Sequence, residues 1–334
     1  MSKQAGFTVA SEGKMTGPAV LPKSTGAIDL QLPANWRTHD ALYLTATDWQ
    51  GRTVCKWSWP LKSPKQIADL IPADSKNQTL SVASKPGAII VTAGKYRFAF
   101  DASNGQLNKV SSGQKESGLN NGPRLIPPAR QESVATISHS KKGANYVIKA
   151  TNSKGLDQLQ WTIYPDGRLL LDYQYSLEGK YDYFGVAFDL PEETIQGMRW
   201  LGAGPHRVWK NRLKGTWLDV WQRDYNQAVT GQVWDYPEFS GYYGDFYWAD
   251  LATTAGNIKV FNKTDGLYLR AGQLRNASQP KKTKIELPEG GLSFMHAINP
   301  IGTKFKMPEG LGPSGKKNIA HGSYRGRLLF KFDL

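Results

Sequence analysis

The sequence predicts an all-β protein: a large antiparallel sandwich preceded by a short β segment. Three observations carry this. Apolar residues alternate with polar ones at period two through most of the chain, the mark of half-buried strands. Turn residues recur at intervals of about 8–12 residues, the spacing of short strands in sandwiches and barrels. The 34 Gly and 19 Pro favour turns over long helices, and no long amphipathic helical pattern competes.

The elements follow in order. In residues 27–59, Ile28, Leu30 and Leu32 alternate with polar neighbours, then Leu42, Leu44 and Ala46, then Val54 and Trp57. Each set reads as a strand, and Asp48–Gly51 reads as a hairpin turn between two of them. Residues 1–62 resemble part of an immunoglobulin-type sandwich, but that fold needs about 100 residues. The segment therefore reads as truncated, lacking strands that another chain would supply. Residues 63–87 read as a linker rich in Pro, Ser and Lys, with one short helix near Gln66–Leu70. From residue 88 to residue 334 the strands resume as one large domain. Ile89–Thr92, Tyr96–Asp101 and Leu107–Val110 come first, the last after an Asn104-Gly105 turn. "NYVIKATN", "LQWTIYPDGRLLLDYQYSL" and "FGVAFDLP" continue the series, and "RGRLLFKFDL" closes it. Pro165-Asp166-Gly167 is a turn with a mechanism: Pro fixes φ and Gly accepts a positive one.

A formal net charge of +14 raises nucleic acid as a partner. The basic residues are scattered as pairs, however, with no basic helical stripe, zinc-finger spacing or helix-turn-helix pattern, so nucleic acid is not expected. A solvated basic surface and attraction to an acidic polysaccharide both remain open. The single cysteine, Cys55, admits no intrachain disulfide and reads as a small core residue. The opening residues hold no apolar run, so no signal peptide is expected in them. No stretch approaches the about 18 apolar residues of a membrane helix, so no membrane partner is expected.

The chemistry concentrates in residues 199–227, "RWLGAGPHRVWKNRLKGTWLDVWQRDYNQ". Six of the eleven tryptophans lie between Trp200 and Trp248, among Tyr225, Tyr236, Phe239, Tyr242, Tyr243, Phe246 and Tyr247. Such rings pack sandwich interiors. They also make platforms for the C–H face of a sugar, with neighbouring Asn and Arg bonding its hydroxyls. The candidates on that second reading are Trp209, Asn211, Arg212, Trp217, Trp221 and Tyr243. His206 and Glu238 are candidates for a general acid/base pair that opens a sugar ring. A histidine beside a turn is more often a hydrogen-bonded structural residue. The five histidines are scattered, with no His-x-His or Cys-x-x-Cys, so neither a metal site nor a cofactor is expected. Calcium held by Asp and carbonyl oxygens is allowed by composition but marked by no motif. The runs Lys210/Arg212/Lys214 and Arg325/Arg327/Lys331 read as solvated strand edges, or as a groove for carboxylated sugars.

Several stretches carry a family resemblance. "LPANWRTHDALYLTATDWQGRTVCKWSW" resembles the end of the immunoglobulin-like domain that precedes the last domain of family-two glycoside hydrolases of the β-galactosidase type. "YRFAFDASNGQLNKV" resembles the opening of that last domain. "MRWLGAGPHRVWKNRLKG" resembles its signature, here Trp200, Gly202, Gly204, Pro205, Asn211 and Arg212. "YPEFSGYYGDFYWADL" resembles its Pro-x-Glu-x-x-Gly stretch, here Pro237, Glu238 and Gly241. The resemblance implies a supersandwich related to the galactose mutarotases. It also implies an accessory region, because the family's two catalytic glutamates sit on a (β/α)₈ barrel. That barrel needs about 250 residues, and nothing here alternates strand and helix. The implied partners are that barrel and carbohydrate. The alternative is a stand-alone sugar-active enzyme using His206 with a carboxylate. In the family an aromatic from a late loop reaches toward the barrel's sugar pocket; Phe305 is the nearest aromatic here, where the family has tryptophan. Relatives are often periplasmic or secreted.

Overall fold

A computed structural model describes residues 3–4, 8–73, 79–128, 134–224, 240–272, 282, 285 and 287–334. The strands in chain order begin with β1 (Lys3–Gln4), β2 (Ala41–Thr47), β3 (Thr53–Pro60), β4 (Leu80–Lys85), β5 (Ala88–Ala93) and β6 (Tyr96–Asp101). Next come β7 (Leu107–Ser112), β8 (Lys115–Glu116), β9 (Asn120–Ile126), β10 (Thr136–Lys142), β11 (Asn145–Ser153) and β12 (Leu156–Ile163). β13 (Leu169–Tyr181), β14 (Phe184–Asp189), β15 (Ile195–Gly204), β16 (Trp217–Asp224) and β17 (Trp248–Thr253) follow. The series ends with β18 (Gly256–Asn262), β19 (Tyr268–Ala271), β20 (Leu292–Ala297) and β21 (Asn318–Asp333).

Among the described residues these strands form one sheet in the order β1-β16-β15-β17-β18-β21-β13-β12-β11-β10. A second sheet runs β19-β20-β14-β9-β7-β6-β5-β4, with β8 on β7, and β2 and β3 make a separate ribbon. All ladders are antiparallel. The fold is therefore all-β, as the alternation predicts. The core fills the space between the two sheets. Trp161 of β12 and Phe330 of β21 meet Phe188 of β14 with ring centroids 6.3 and 5.7 Å apart. Phe294 of β20 closes on the same two phenylalanines at 6.2 Å each. Edge-to-face aromatic packing of this kind adds to the burial of the rings themselves.

The predicted turns have the expected geometry. Gly105 and Gly167 both sit at positive φ, 75° and 81°, and the Asp48–Gly51 turn closes through Gly51 N–H to the Asp48 carbonyl at 2.9 Å. The expected linker holds more than one short helix. Its helix α1 (Pro64–Asp69) starts where Ser63 and Gln66 cap each other's backbone N–H groups, with Pro64 in the first turn; this reciprocal capping satisfies two orphan donors. Ala68 is buried beside Phe261 and Leu329, and Asp69 pairs with Lys65 of its own helix and with Lys263 just after β18. β4 then joins the second sheet.

Three expectations need correction. Residues 27–33 form no strand; alternation makes a strand only where a neighbour accepts its backbone bonds, and no described strand lies beside them. Cys55 sits half-buried on the ribbon, away from the core clusters. Arg325, Arg327 and Lys331 are not on an edge: β21 is central, paired with β13 on one side and β18 on the other. Their charges stand on the outer face of that strand, where Arg327 pairs with Asp172 at 2.9 Å.

Candidate functional site

The 199–227 stretch is built around β15, β16 and the loop 205–216 between them. The signature glycines are positions of close approach. A Cβ on Gly204 would lie 2.5 Å from the indole nitrogen of Trp221, which donates instead to the Gly202 carbonyl at 3.1 Å. A Cβ on Gly202 would lie 2.9 Å from the Gly244 carbonyl, which accepts the Ala203 N–H at 2.8 Å. Gly241 plays the same part in the loop, where a Cβ would lie 2.1 Å from the Val208 carbonyl. Val208 and Tyr242 there exchange two backbone bonds, at 2.7 and 2.8 Å.

These contacts fix the aromatics. Trp209, Trp221 and Tyr243 are buried. Trp209 stacks edge-on against Tyr242 at 5.6 Å, and Tyr243 against Trp200 at 4.8 Å. Their ring faces are occupied by protein, so as sugar platforms these three are closed off, and the core reading fits them. Trp217 is half-buried, edge-on to Trp221 at 5.1 Å, with the Lys56 ammonium 5.3 Å from its centroid. Phe305 is different: it is 81% exposed, at the tip of a turn closed by Thr303 N–H to the Lys306 carbonyl at 2.8 Å. The Thr303 hydroxyl accepts the Phe305 and Lys306 N–H groups at 3.2 and 3.0 Å.

Asn211 is a strut between loops. Its side-chain amide donates to the Ile301 carbonyl and accepts the Ile301 N–H, both at 2.8 Å. Lys210 reinforces it, with its N–H on the Asn299 carbonyl at 2.9 Å and its ammonium on the Lys316 and Lys317 carbonyls at 2.8 and 3.2 Å. Partial burial lowers the Lys210 pKa from the usual lysine range. Arg212 is half-buried and closes a tight turn with Trp209.

His206 is half-buried. Burial, then the nearby positive charge of Arg223, holds its pKa below the ordinary histidine value. Arg223 is itself buried and donates to the Pro205 carbonyl at 2.7 Å. Glu238, the expected partner of His206, lies outside the described residues, as do Tyr225, Tyr236, Pro237 and Phe239. Among the described residues no group of three His, Cys, Asp or Glu could hold a metal ion, and no helix is long and apolar enough to cross a membrane.

The structure thus brings Trp209 and Asn211 against the loop that carries Phe305, with Arg212 in the turn beside them, while Trp217, Trp221 and Tyr243 belong to the β15–β16 side. Sequence reasoning missed two groupings. One is the set of lysines around Phe305, foreshadowed only by "TKFKM" and by Lys316-Lys317, which look scattered until the loops meet. The other is His296 of β20, which donates through Nε2 to the Arg325 carbonyl at 2.9 Å and accepts the Tyr175 hydroxyl at Nδ1, 2.7 Å away. A carbonyl only accepts, so Nε2 carries the proton. That bond ties the two sheets together, and no sequence motif marks it.

No curated protein matches the chain in sequence. Its fold is similar to the solved structure of a galactose 1-epimerase from Lactobacillus acidophilus NCFM, with 9% identity, a TM-score of 0.36, and coverage of 88% of this chain and 98% of that one. A likeness that slight says nothing about activity. The family comparison is more telling: residues 127–311, more than half of the sequence and including the whole Gly202–Arg212 signature, match the family described as β-galactosidase small chain, and the chain belongs to that family.

Proposed function

We propose that the chain is the accessory, non-catalytic region of a β-galactosidase-like enzyme, packing against a catalytic barrel carried outside these residues and serving a carbohydrate-directed role. Family membership supports the carbohydrate-directed part. The observation that carries the packing part is the ribbon. One of its faces turns to the sandwich: the Tyr43 hydroxyl donates to the Leu218 carbonyl, and the Ser58 hydroxyl accepts the Leu218 N–H at 2.8 Å. The other face sets Leu42, Leu44 and Ala46 across from Trp59, Trp57 and Cys55. None of these six packs against a core cluster among the described residues, and Trp57 and Trp59 are 42% and 44% exposed.

A two-stranded ribbon is marginal by itself in water. At ~3.3 Å per residue and ~5 Å between strands, this face covers roughly 250 Å². Two such faces paired together bury well under the ~1,200 Å² of a specific interface, so a second copy of the ribbon is too small a cover. A partner that covers this face together with sandwich surface beside it can reach that area.

The test is hydrolysis of an aryl β-galactoside by the purified chain, alone and with the barrel-bearing chain of a β-galactosidase. The expected result is none alone and a gain in the mixture, with Trp57→Ser/Trp59→Ser weakening the association. Hydrolysis by this chain alone, abolished in Glu238→Gln, overturns the proposal.

A further inference from the structure

We infer that the loop cluster around Phe305 is a binding site for an anionic polysaccharide, an inference that rests on the carbohydrate reading above. Residues 205–216, 299–307 and 308–317 converge there through the Asn211–Ile301 pair and the Lys210 contacts. Residue 282 joins them: a Cβ on Gly302 would lie 2.2 Å from the Lys282 carbonyl and 2.7 Å from that of Lys306. The cluster therefore gathers Lys210, Lys282, Lys304, Lys306, Lys316 and Lys317. All but Lys210 are exposed. Across those three loops the sequence holds one carboxylate, Glu309, and Asp182 reaches in from outside to pair with Lys317 at 2.8 Å. Within those three loops basic side chains outnumber carboxylates.

The second element is the apolar tip. Phe305 stands between Lys304 and Lys306 with its ring in solvent, and Met307 beside it is also exposed. The Lys304 ammonium lies 6.0 Å from the Phe305 centroid. An exposed ring among converging ammonium groups suits a chain of pyranose rings bearing carboxylates or sulfates. The C–H face of one ring stacks on Phe305, and the acidic groups of its neighbours meet the lysines. Charge alone would attract any polyanion; the ring supplies the preference for sugar. The strut and the buried Trp209 beneath it hold the loops in place, so little ordering is required on binding.

The test is binding of the intact protein to polygalacturonate, dextran sulfate, neutral galactan and duplex DNA, measured by calorimetry at 50 and 200 mM NaCl. Polygalacturonate or dextran sulfate should bind and galactan should not; the stronger of the two acidic polymers identifies the anion. Affinity should fall about tenfold over that salt range if about two counterions are released. Lys304→Gln/Lys306→Gln should weaken binding and flatten the salt dependence. Phe305→Ala should weaken it about fivefold at both salt concentrations, the loss of one aromatic contact. Lys141→Gln/Lys142→Gln, on a distant exposed hairpin, should bind as the parent does. The inference is overturned if neither acidic polymer binds, or if the lysine variant matches the parent. It is overturned equally if duplex DNA binds as tightly with no dependence on Phe305. Association with a barrel-bearing chain that persists while acidic polymers fail to bind would remove this inference and leave the proposed function standing.

Discussion

Asn211 offers the sharpest test of how the loop cluster is held. Its amide makes two reciprocal bonds at 2.8 Å with the backbone of Ile301, and Ile301 is fully buried. Asn211→Ala leaves that residue's N–H and C=O both without their partner. Each unsatisfied buried backbone group costs about 1–3 kcal/mol. Asn211 is only half-buried, so water can approach and the lower end applies, about 2 kcal/mol in all. At roughly 2–4 °C per kcal/mol for a domain of this size or somewhat smaller, the melting temperature should fall by about 4–8 °C. Hydrogen exchange at the Ile301 amide should accelerate first. Asn211→Asp keeps the acceptor for the Ile301 N–H but loses the donor to the Ile301 carbonyl, so it should lose part of the same stability. The measurements are calorimetric melting and exchange followed by mass spectrometry. A change below about 0.5 kcal/mol in Asn211→Ala, or an Ile301 amide that exchanges as in the parent, would refute the reasoning.

Three further outcomes follow from the packing. Gly204→Ala should destabilise by about 1–3 kcal/mol through overpacking, because its Cβ would meet the Trp221 indole at 2.5 Å; near-ultraviolet circular dichroism reports the displaced ring. Burial depresses the His296 pKa, opposed in part by its bond to the Arg325 carbonyl, so its contribution to stability is present above the unfolded value near 6.5 and is lost as pH falls. The melting temperature of the parent should therefore drop on acidification from pH 7 to 5, and His296→Gln should show a shallower drop. Trp57→Ser/Trp59→Ser should leave the melting temperature within about 2 °C, since both rings lie outside the core, while reducing binding of a hydrophobic dye.

Much of the fold is legible in the sequence because period-two alternation and turn chemistry are local. Pro165-Asp166-Gly167 and Asn104-Gly105 each declare a turn within a few residues. The failures are non-local. Residues 27–33 alternate correctly yet find no partner strand. The tryptophans of residues 199–227 are equally compatible with a core and a platform until Gly202, Gly204 and Gly241 are seen as places where backbone or indole comes within van der Waals reach. Once those contacts are known, the Gly-x-Gly spacing explains itself: Gly204 is required because the Trp221 indole lies on the strand, and Gly202 because the Gly244 carbonyl does. Lys210 and Lys282 are far in sequence from the four lysines of residues 304–317, so the convergence of Lys210 with them depends on the loop contacts made by Lys210 and Asn211, a tertiary fact.

The central place of β21 has a consequence for how the sheet can be assembled. Its sixteen residues, Asn318–Asp333, stand between β18 and β13, so they alone join the half that includes β15–β18 to the half made of β10–β13. During synthesis both halves emerge before the strand that unites them. Each must wait with an exposed edge, a condition under which β proteins fold slowly and aggregate. A ribosome stalled before residue 318 would hold a protein with nearly all of its aromatic core synthesised and a gap down the middle of its largest sheet.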